Sequence, residues 1–195
     1  MSDEQFEVIA AGFSGDTAAA RTGLTGTDPK VRESALRALA RCGEATDDDL
    51  SGATRDIDSG VRRTAAELAA VVPSVSLVHL FGDDDVFVAE MAAWATGERD
   101  AATDEEIEAL IAAATGHGEP LVREAAAAAL GALGDPRGLD AIITACSDKP
   151  AVRRRAVLAL APFDDPRVDE VLRRALEDRD WQVRQNAEDL LHPRS

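Results

Sequence analysis

The 195-residue sequence predicts an all-α protein, an α-solenoid of about six stacked antiparallel helix pairs. A segment of about 30 residues recurs along the chain, and such a period is the signature of a repeat architecture. Apolar residues in each copy follow the helical period, and no run alternates with the period of two that is typical of a strand. Because one helix pair cannot bury its apolar stripe alone, we expect neighbouring pairs to stack.

Each copy of the repeat is marked by a valine that arginine usually follows. The template, residues 28–39, reads DPKVRESALRAL, and later copies keep small or apolar residues four, seven and eight positions after the valine. At about 100° per residue these positions form one stripe, so each copy is an amphipathic helix. We expect these second helices, within a single array spanning residues 1–195, to begin near Val31, Val61, Val86, Val122, Val152 and Val183.

The segments between these copies predict the first helix of each pair. Apolar residues such as Ile107, Leu110 and Ile111 have helical spacing there. Turn residues separate the two patterns, as at residues 134–136 (Gly-Asp-Pro) and 148–150 (Asp-Lys-Pro). Proline suits the first turn of a helix, so each unit is a pair of antiparallel helices about thirty residues long.

The pattern Asp-Pro-x-Val-Arg-x-x-Ala-x-x-Ala-Leu resembles the short HEAT repeats of the phycobilisome-lyase-like group. The likeness covers roughly residues 16–191, and the copies at Val31, Val122 and Val152 carry it best. The resemblance implies an armadillo/HEAT-type superhelix whose second helices line a concave face that holds another macromolecule. It is specific for architecture and names no partner.

The charge of the chain excludes some partners. Acidic residues number 37 against 21 basic ones, so the net charge is −16. This acidity argues against nucleic acid, whose binding depends on phosphate contacts, and against an anionic membrane. The N-terminus lacks the basic and apolar regions of a signal peptide, which predicts a cytoplasmic protein. We expect its partner to be another protein.

No arrangement of residues in the sequence indicates catalysis, a metal site or a cofactor. Histidines at 79, 117 and 192 are followed by Leu, Gly and Pro, so the His-Glu pairs that bind iron in some HEAT-type hydroxylases are missing. Cys42 and Cys146 stand in apolar surroundings and are interpreted as small core residues.

The repeated arginine admits two interpretations. It could form a ladder for an anionic ligand, or it could pair with a carboxylate near the start of the same or an adjacent repeat, and its fixed position favours the structural role. The arginines are Arg32, Arg62, Arg123, Arg153 and Arg184, and the expected carboxylates are Asp28, Asp58, Glu119, Asp148 and Asp180.

The copy at Val86 departs from the pattern and is the first candidate partner site. Phe87 stands where other copies have arginine, and Val88 lies two positions after the anchoring valine, on the side away from the core stripe. With Met91 these residues would form an exposed apolar strip beside residues 83–85 (Asp-Asp-Asp). The alternative is that this shortened repeat packs differently and buries Phe87 and Val88.

The second candidate site is the basic segment near the end of the chain. Residues 149–184 hold 9 basic and 7 acidic side chains, whereas residues 1–148 hold 11 basic and 28 acidic ones. Arg154 and Arg155 are the candidate contacts there. Such a charge difference could orient a partner or allow self-association, and the alternative is ordinary surface variation.

These features favour a non-catalytic protein-interaction module. The alternative is an enzyme-accessory role resembling HEAT-type chromophore lyases, in which the groove presents a substrate or cofactor. A third class, the HEAT-like DNA glycosylases, uses a basic concave face, which the acidic first two-thirds of this chain opposes.

Composition also bears on the environment of the protein. Its two lysines, its excess of aspartate and its negative charge resemble proteins of salt-accumulating halophiles, and a GC-rich genome is the alternative explanation.

We predict that the melting temperature rises substantially between low salt and molar KCl. Salt screens the repulsion among the carboxylates of a chain with a net charge of −16 and strengthens apolar burial. Thermal unfolding followed by circular dichroism across this range measures the effect. A flat or falling melting temperature would remove the halophile interpretation and leave the predicted fold untouched.

Overall fold

The computed structural model of the chain describes residues 1–192, and this part of the chain contains twelve α-helices and no strand. Three short 3-10 helices, Ala69–Val71, Val78–Gly82 and Pro136–Gly138, lie between them. The prediction of an all-α fold is confirmed. The α-helices are α1 Asp3–Ser14, α2 Thr17–Gly23, α3 Pro29–Cys42, α4 Asp47–Ala53, α5 Ser59–Leu68, α6 Val86–Gly97, α7 Asp104–Gly116, α8 Pro120–Leu133, α9 Leu139–Ala145, α10 Pro150–Ala159, α11 Pro166–Ala175 and α12 Trp181–Leu191.

The helices belong to two compact units, which divide within α6. Unit 1 is Met1–Ala95 and unit 2 begins at Thr96. Whether the chain is a single array, as the sequence predicts, stays a prediction.

Each unit is built from helix pairs whose second helices stack on one another. In unit 1, α2 pairs with α3 and α4 pairs with α5, while α1 packs on α3 in the manner of a second helix. The 3-10 helix Val78–Gly82 takes the place of a first helix, since Leu80 shares a core with Val88 and Ala92 of α6. In unit 2, α7 pairs with α8, α9 with α10 and α11 with α12, and α10 packs between α8 and α12.

Aspartate caps fix where α3, α5 and α12 begin. The Asp28 carboxylate accepts from the Lys30 backbone N–H at 2.9 Å, and Asp58 and Asp180 cap α5 and α12 in the same way. A cap of this kind satisfies one of the backbone donors left open at a helix start. In each case the anchor valine follows three residues after the cap, at Val31, Val61 or Val183, and is almost fully buried.

The α6 helix begins at Val86, but the same kind of cap shows that the buried anchor of this copy is Val88, so the choice of Val86 as the anchor is wrong. Asp85 accepts from the Phe87 N–H at 2.9 Å, and Val88 lies three residues beyond it. Val88 is 0% exposed, whereas Val86 is partly exposed. The prediction that Val88 faces outward is therefore wrong, because its position after the cap directs its side chain into the core.

Moving the anchor from Val86 to Val88 changes the positions assigned to Phe87 and Ala89. Phe87 precedes the anchor and occupies the position of Lys30 in α3, so it does not replace an arginine. Ala89 stands at the arginine position and is buried. The expectation that Phe87 is exposed is confirmed, since 54% of the residue is accessible.

Small residues allow the second helices to approach closely. Gly131 of α8 lies against Ala159 of α10, where a Cβ atom on residue 131 would lie 2.5 Å from the Cβ atom and 2.8 Å from the carbonyl oxygen of Ala159. Backbone atoms cannot move out of the way as the end of a side chain can. The abundance of alanine and glycine in the repeats therefore has a packing reason.

We predict that Gly131→Ala destabilises the protein by about 1–3 kcal/mol, the usual range for overpacking a close contact. Gly116→Ala is the matched control, because a Cβ atom at the end of α7 would meet nothing within 4 Å. Urea unfolding measures both variants. Equal stability of the two would show that the α8–α10 contact is looser than described.

Candidate binding surface

One set of positions on the second helices faces away from the core. The residues one before, three after and six after the anchor valine are at least partly exposed from α3 to α12, with the exception of buried Thr64. We call these the outward positions. In unit 1 they lie side by side on neighbouring helices, since the Arg37 guanidinium on α3 is 2.7 Å from the Glu67 carboxylate on α5.

The outward positions of α6 hold three large apolar residues, which we call the α6 strip: Phe87, Met91 and Trp94. Phe87 is 54% exposed, Trp94 is 41% exposed and Met91 is half-buried. On α3 the equivalent residues are polar or charged. Of the predicted site, Phe87 and Met91 thus share a surface, and Val88 does not belong to it.

The acidic run next to the strip is mostly engaged in the fold. The Asp83 carboxylate lies 2.7 Å from Arg62, and Asp85 caps α6. Asp84 is exposed. The predicted acidic rim at residues 83–85 is therefore reduced to one fully exposed carboxylate.

A trough with two lobes runs across the second helices of unit 2. The first lobe, of about 460 Å³, lies between α8 and α10 and is lined by Ala128, Ala132, Leu158 and Pro162. The second lobe, also of about 460 Å³, lies between α10 and α12. Its lining includes Ala151, Arg154, Trp181, Gln182 and Gln185. Arg155 and Leu158 line both lobes and join them.

The two arginines predicted as contacts lie in this trough and are held differently. The Arg154 guanidinium donates to the Asp180 carboxylate at 2.9 and 2.5 Å, and the Arg154 carbonyl accepts from the Asn186 amide at 3.0 Å. The Arg155 guanidinium is 3.8 Å from Glu124, beyond hydrogen-bonding distance. Arg154 is therefore fixed, and Arg155 is the more available cation.

The sequence patterns did not indicate Trp94, Leu158 or Trp181 as binding residues. If Val86 is taken as the anchor, Trp94 lies eight residues later, on the core stripe. The cap at Asp85 makes Val88 the anchor, and Trp94 then lies six residues later, at an outward position. Leu158 stands six residues after Val152, an outward position that the charge pattern did not single out. Trp181 precedes its anchor by two residues and is 64% exposed.

The repeated arginines form a ladder along the loops that precede the second helices. Arg123 donates to the Asp148 carboxylate at 2.5 and 2.9 Å, and the backbone carbonyl of Asp148 accepts from Arg153 at 2.8 Å. Arg153 continues to the Asp178 carboxylate, whose carbonyl accepts from Arg184. Each aspartate thus binds one arginine through its side chain and the next through its backbone.

The same arrangement occurs in unit 1. Arg32 donates to the Asp56 carboxylate, the Asp56 carbonyl accepts from Arg62, and Arg62 donates to Asp83. The structural role expected for the arginines agrees with these contacts. Among the expected carboxylates, Asp148 accepts from the repeated arginine of the preceding repeat, Arg123. Asp28 and Asp58 cap helices instead, and Asp180 pairs with Arg154.

Comparison with known proteins agrees with this arrangement of helices. Residues 107–192 match the family model for HEAT repeats. No curated protein matches the sequence significantly.

Solved structures share the HEAT/armadillo-like fold at low sequence identity. An engineered protein is 23% identical to this chain, with a TM-score of 0.61. The alignment covers 94% of this chain, and this chain spans 59% of the length of that protein. The CpcE–CpcF complex of phycocyanin lyase from Nostoc sp. PCC7120 is 24% identical with a TM-score of 0.60, covering 90% of this chain and 75% of that one. A designed armadillo repeat protein in complex with a (KR)4 peptide is 18% identical with a TM-score of 0.61, covering 88% of this chain and 96% of that one.

Two other reactive side chains, Cys146 and His79, lie within the fold. Burial raises the pKa of the Cys146 thiol to about 12, which keeps it protonated and unreactive at neutral pH. The His79 ring nitrogen is 3.3 Å from the carbonyl oxygen of Thr54. Residues 1–192 contain no group of three or more His, Cys, Asp or Glu side chains that could hold a metal ion, and no helix in that range is both long and apolar enough to cross a membrane.

The ladder lowers the pKa values of its carboxyl groups. Hydrogen bonds from Arg153 hold the pKa of Asp178 below its ordinary value, and Arg32 does the same for Asp56. A carboxyl group with a lowered native pKa stabilises the folded state fully above its unfolded pKa of about 3.9. That stability is lost as the pH falls from about 5 through the lowered native value.

We predict that Asp178→Asn costs about 1–3 kcal/mol of stability at pH 7, the range for losing a hydrogen bond to a charged partner. The difference in stability from the unmodified protein should narrow as the pH falls from about 5 through the lowered native pKa of Asp178, where the native carboxylate itself becomes protonated. Asp164→Asn, at an exposed loop carboxylate, is the control and should change little. Thermal unfolding at several pH values measures the effect, and a pH-independent difference would contradict it.

Proposed function

We propose that this chain is a non-catalytic protein-binding module and that its partners bind the outward positions of the second helices and the trough of unit 2. The observation that carries the proposal is the set of large apolar side chains exposed on these two surfaces. Phe87, Met91 and Trp94 occupy the outward positions of α6, and Leu158 and Trp181 occupy the trough of unit 2. Tryptophan and methionine are enriched at protein interfaces, where a few such residues contribute most of the binding energy.

What similar proteins do supports the same proposal. HEAT and armadillo repeats generally bind proteins or peptides, and one designed armadillo repeat protein of similar fold holds a (KR)4 peptide. An enzyme-accessory role is the second candidate and rests on the fold shared with the CpcE–CpcF complex of phycocyanin lyase. The interaction role is favoured because side chains of this chain itself support it.

Selection of peptides from a random displayed library on the immobilised protein tests the proposal. Two variants remove the outward surfaces: Phe87→Glu with Trp94→Glu, and Leu158→Glu with Trp181→Glu. The control, Ile57→Glu with Val71→Glu, replaces two apolar residues that are fully exposed or nearly so and lie outside the second helices.

We expect selected peptides to lose at least tenfold in affinity for one of the two surface variants and to bind the control as they bind the unmodified protein. Far-UV circular dichroism checks that every variant remains helical. Failure to enrich any peptide, or peptides that distinguish only the control, would contradict the proposed function.

A further inference from the structure

We propose that the trough of unit 2 binds a segment of a partner protein in which one carboxylate side chain stands between two apolar side chains. This inference rests on the proposed function and specifies its ligand. The trough offers two places for apolar groups, joined by one cation, Arg155.

The first lobe accepts an apolar side chain because α8 has small residues there. Ala128 stands six residues after Val122, where α3 has Arg37 and α6 has Trp94. Ala132 lies one turn further along the same helix. With Leu158 and Pro162 they leave a lobe of about 460 Å³ in which Arg155 is the one charged lining residue. Filling such a space with an apolar group is favourable because it removes apolar surface from water on both sides.

The second lobe is suited to an apolar or aromatic group that reaches solvent at its edge. The exposed ring of Trp181 supplies a flat apolar surface, and Gln182 and Gln185 add polar groups beside it. An aromatic ring of this kind contributes a large contact area with little loss of side-chain freedom. The lobe therefore supplies a second anchor.

The cation between the lobes determines what stands between the two anchors. A segment that occupies both lobes must pass over Arg155, whose guanidinium lies 3.8 Å from the Glu124 carboxylate, too far to donate a hydrogen bond to it. Covering this guanidinium with an apolar group would remove it from water without a partner, which is costly. A carboxylate matches it best, because the two oxygens accept two parallel N–H donors.

The neighbouring charges leave Arg155 as the cation that sets this preference. Arg154 also lines the trough, but Asp180 balances its charge and holds it, so it does not compete for the carboxylate. Glu124 is the acidic residue among the lining residues, and Arg155 already lies next to it. The trough thus favours an anionic group in a chain whose net charge is −16.

Synthetic peptides test the inference, with Trp181 fluorescence as the readout. The chain has two tryptophans, so Trp94→Phe leaves Trp181 as the single reporter. Each peptide has blocked ends and two leucines in an alanine–serine background, spaced three to seven residues apart to cover helical and extended forms. The residue midway between the leucines is Glu, Gln or Lys. A further peptide carries Glu outside the two leucines and so has the same composition and net charge.

We expect the peptide with central Glu to bind about tenfold more tightly than the peptide with central Gln, because one charge-assisted contact is gained. The peptide with central Glu should also bind more tightly than the isomer with displaced Glu, and the peptide with central Lys should have the lowest affinity. Arg155→Gln should abolish the preference for Glu, whereas Arg179→Gln, which removes the same charge from an exposed loop of unit 2, should preserve it. Molar KCl should reduce the preference.

Three results would overturn the inference: no peptide alters Trp181 fluorescence, the Glu and Lys peptides bind equally, or the preference for Glu survives Arg155→Gln. Each of these results would overturn the inference about the trough without contradicting the proposed function. A library-selected peptide that binds through the α6 strip would leave the interaction role standing while the inference about the trough fails.

Discussion

The hydrogen bonds between arginine and aspartate connect neighbouring repeats within each unit, and the arrangement of the second helices depends on them. An aspartate in the loop before a second helix holds the guanidinium of the preceding repeat with its carboxylate and that of its own repeat with its carbonyl oxygen, as Asp148 does. A guanidinium with five donors in a rigid plane can serve both acceptors at once. Stacked helices alone could slide along an alanine-rich contact, whereas this pairing allows one register.

A second aspartate often follows two residues later and determines where the helix begins. In residues 56–58, 83–85 and 178–180 the first aspartate takes the arginine and the second caps the helix. The valine three residues after the cap is then directed into the core. In α6, where the apolar pattern is ambiguous, the hydrogen bond of the cap thus indicates which face of the helix is buried.

The difference between apolar periodicity and local capping explains which features of the fold the sequence predicts. Apolar periodicity was sufficient to predict the all-α fold and the second helices at Val31, Val61, Val122, Val152 and Val183. It failed at α6, where so many residues are apolar that the stripe can be drawn through Val86 or Val88 equally well. The cap at Asp85 resolves this ambiguity, and it assigns Val88 to the core and Trp94 to the surface.

The candidate site was only partly predictable for a related reason. Arg154 and Arg155 were found through their charge, but the availability of a cation depends on its neighbours. Asp180 fixes one of them and Glu124 remains at a distance from the other. The first lobe exists because Ala128 and Ala132 have small side chains. Alanine is common throughout this sequence, so these two positions do not stand out in it.

The separation of roles within each second helix has a consequence for how such a protein can diverge. The residues that hold the repeat together are the anchor valine, the arginine after it and the loop aspartates, and none of them lies at an outward position. Substitutions at Ala128 or Leu158 would change the depth and chemistry of the trough while the anchor and ladder contacts persist. Descendants of one ancestral array can therefore acquire new ligands by single point mutations, and their binding preferences can drift faster than their fold.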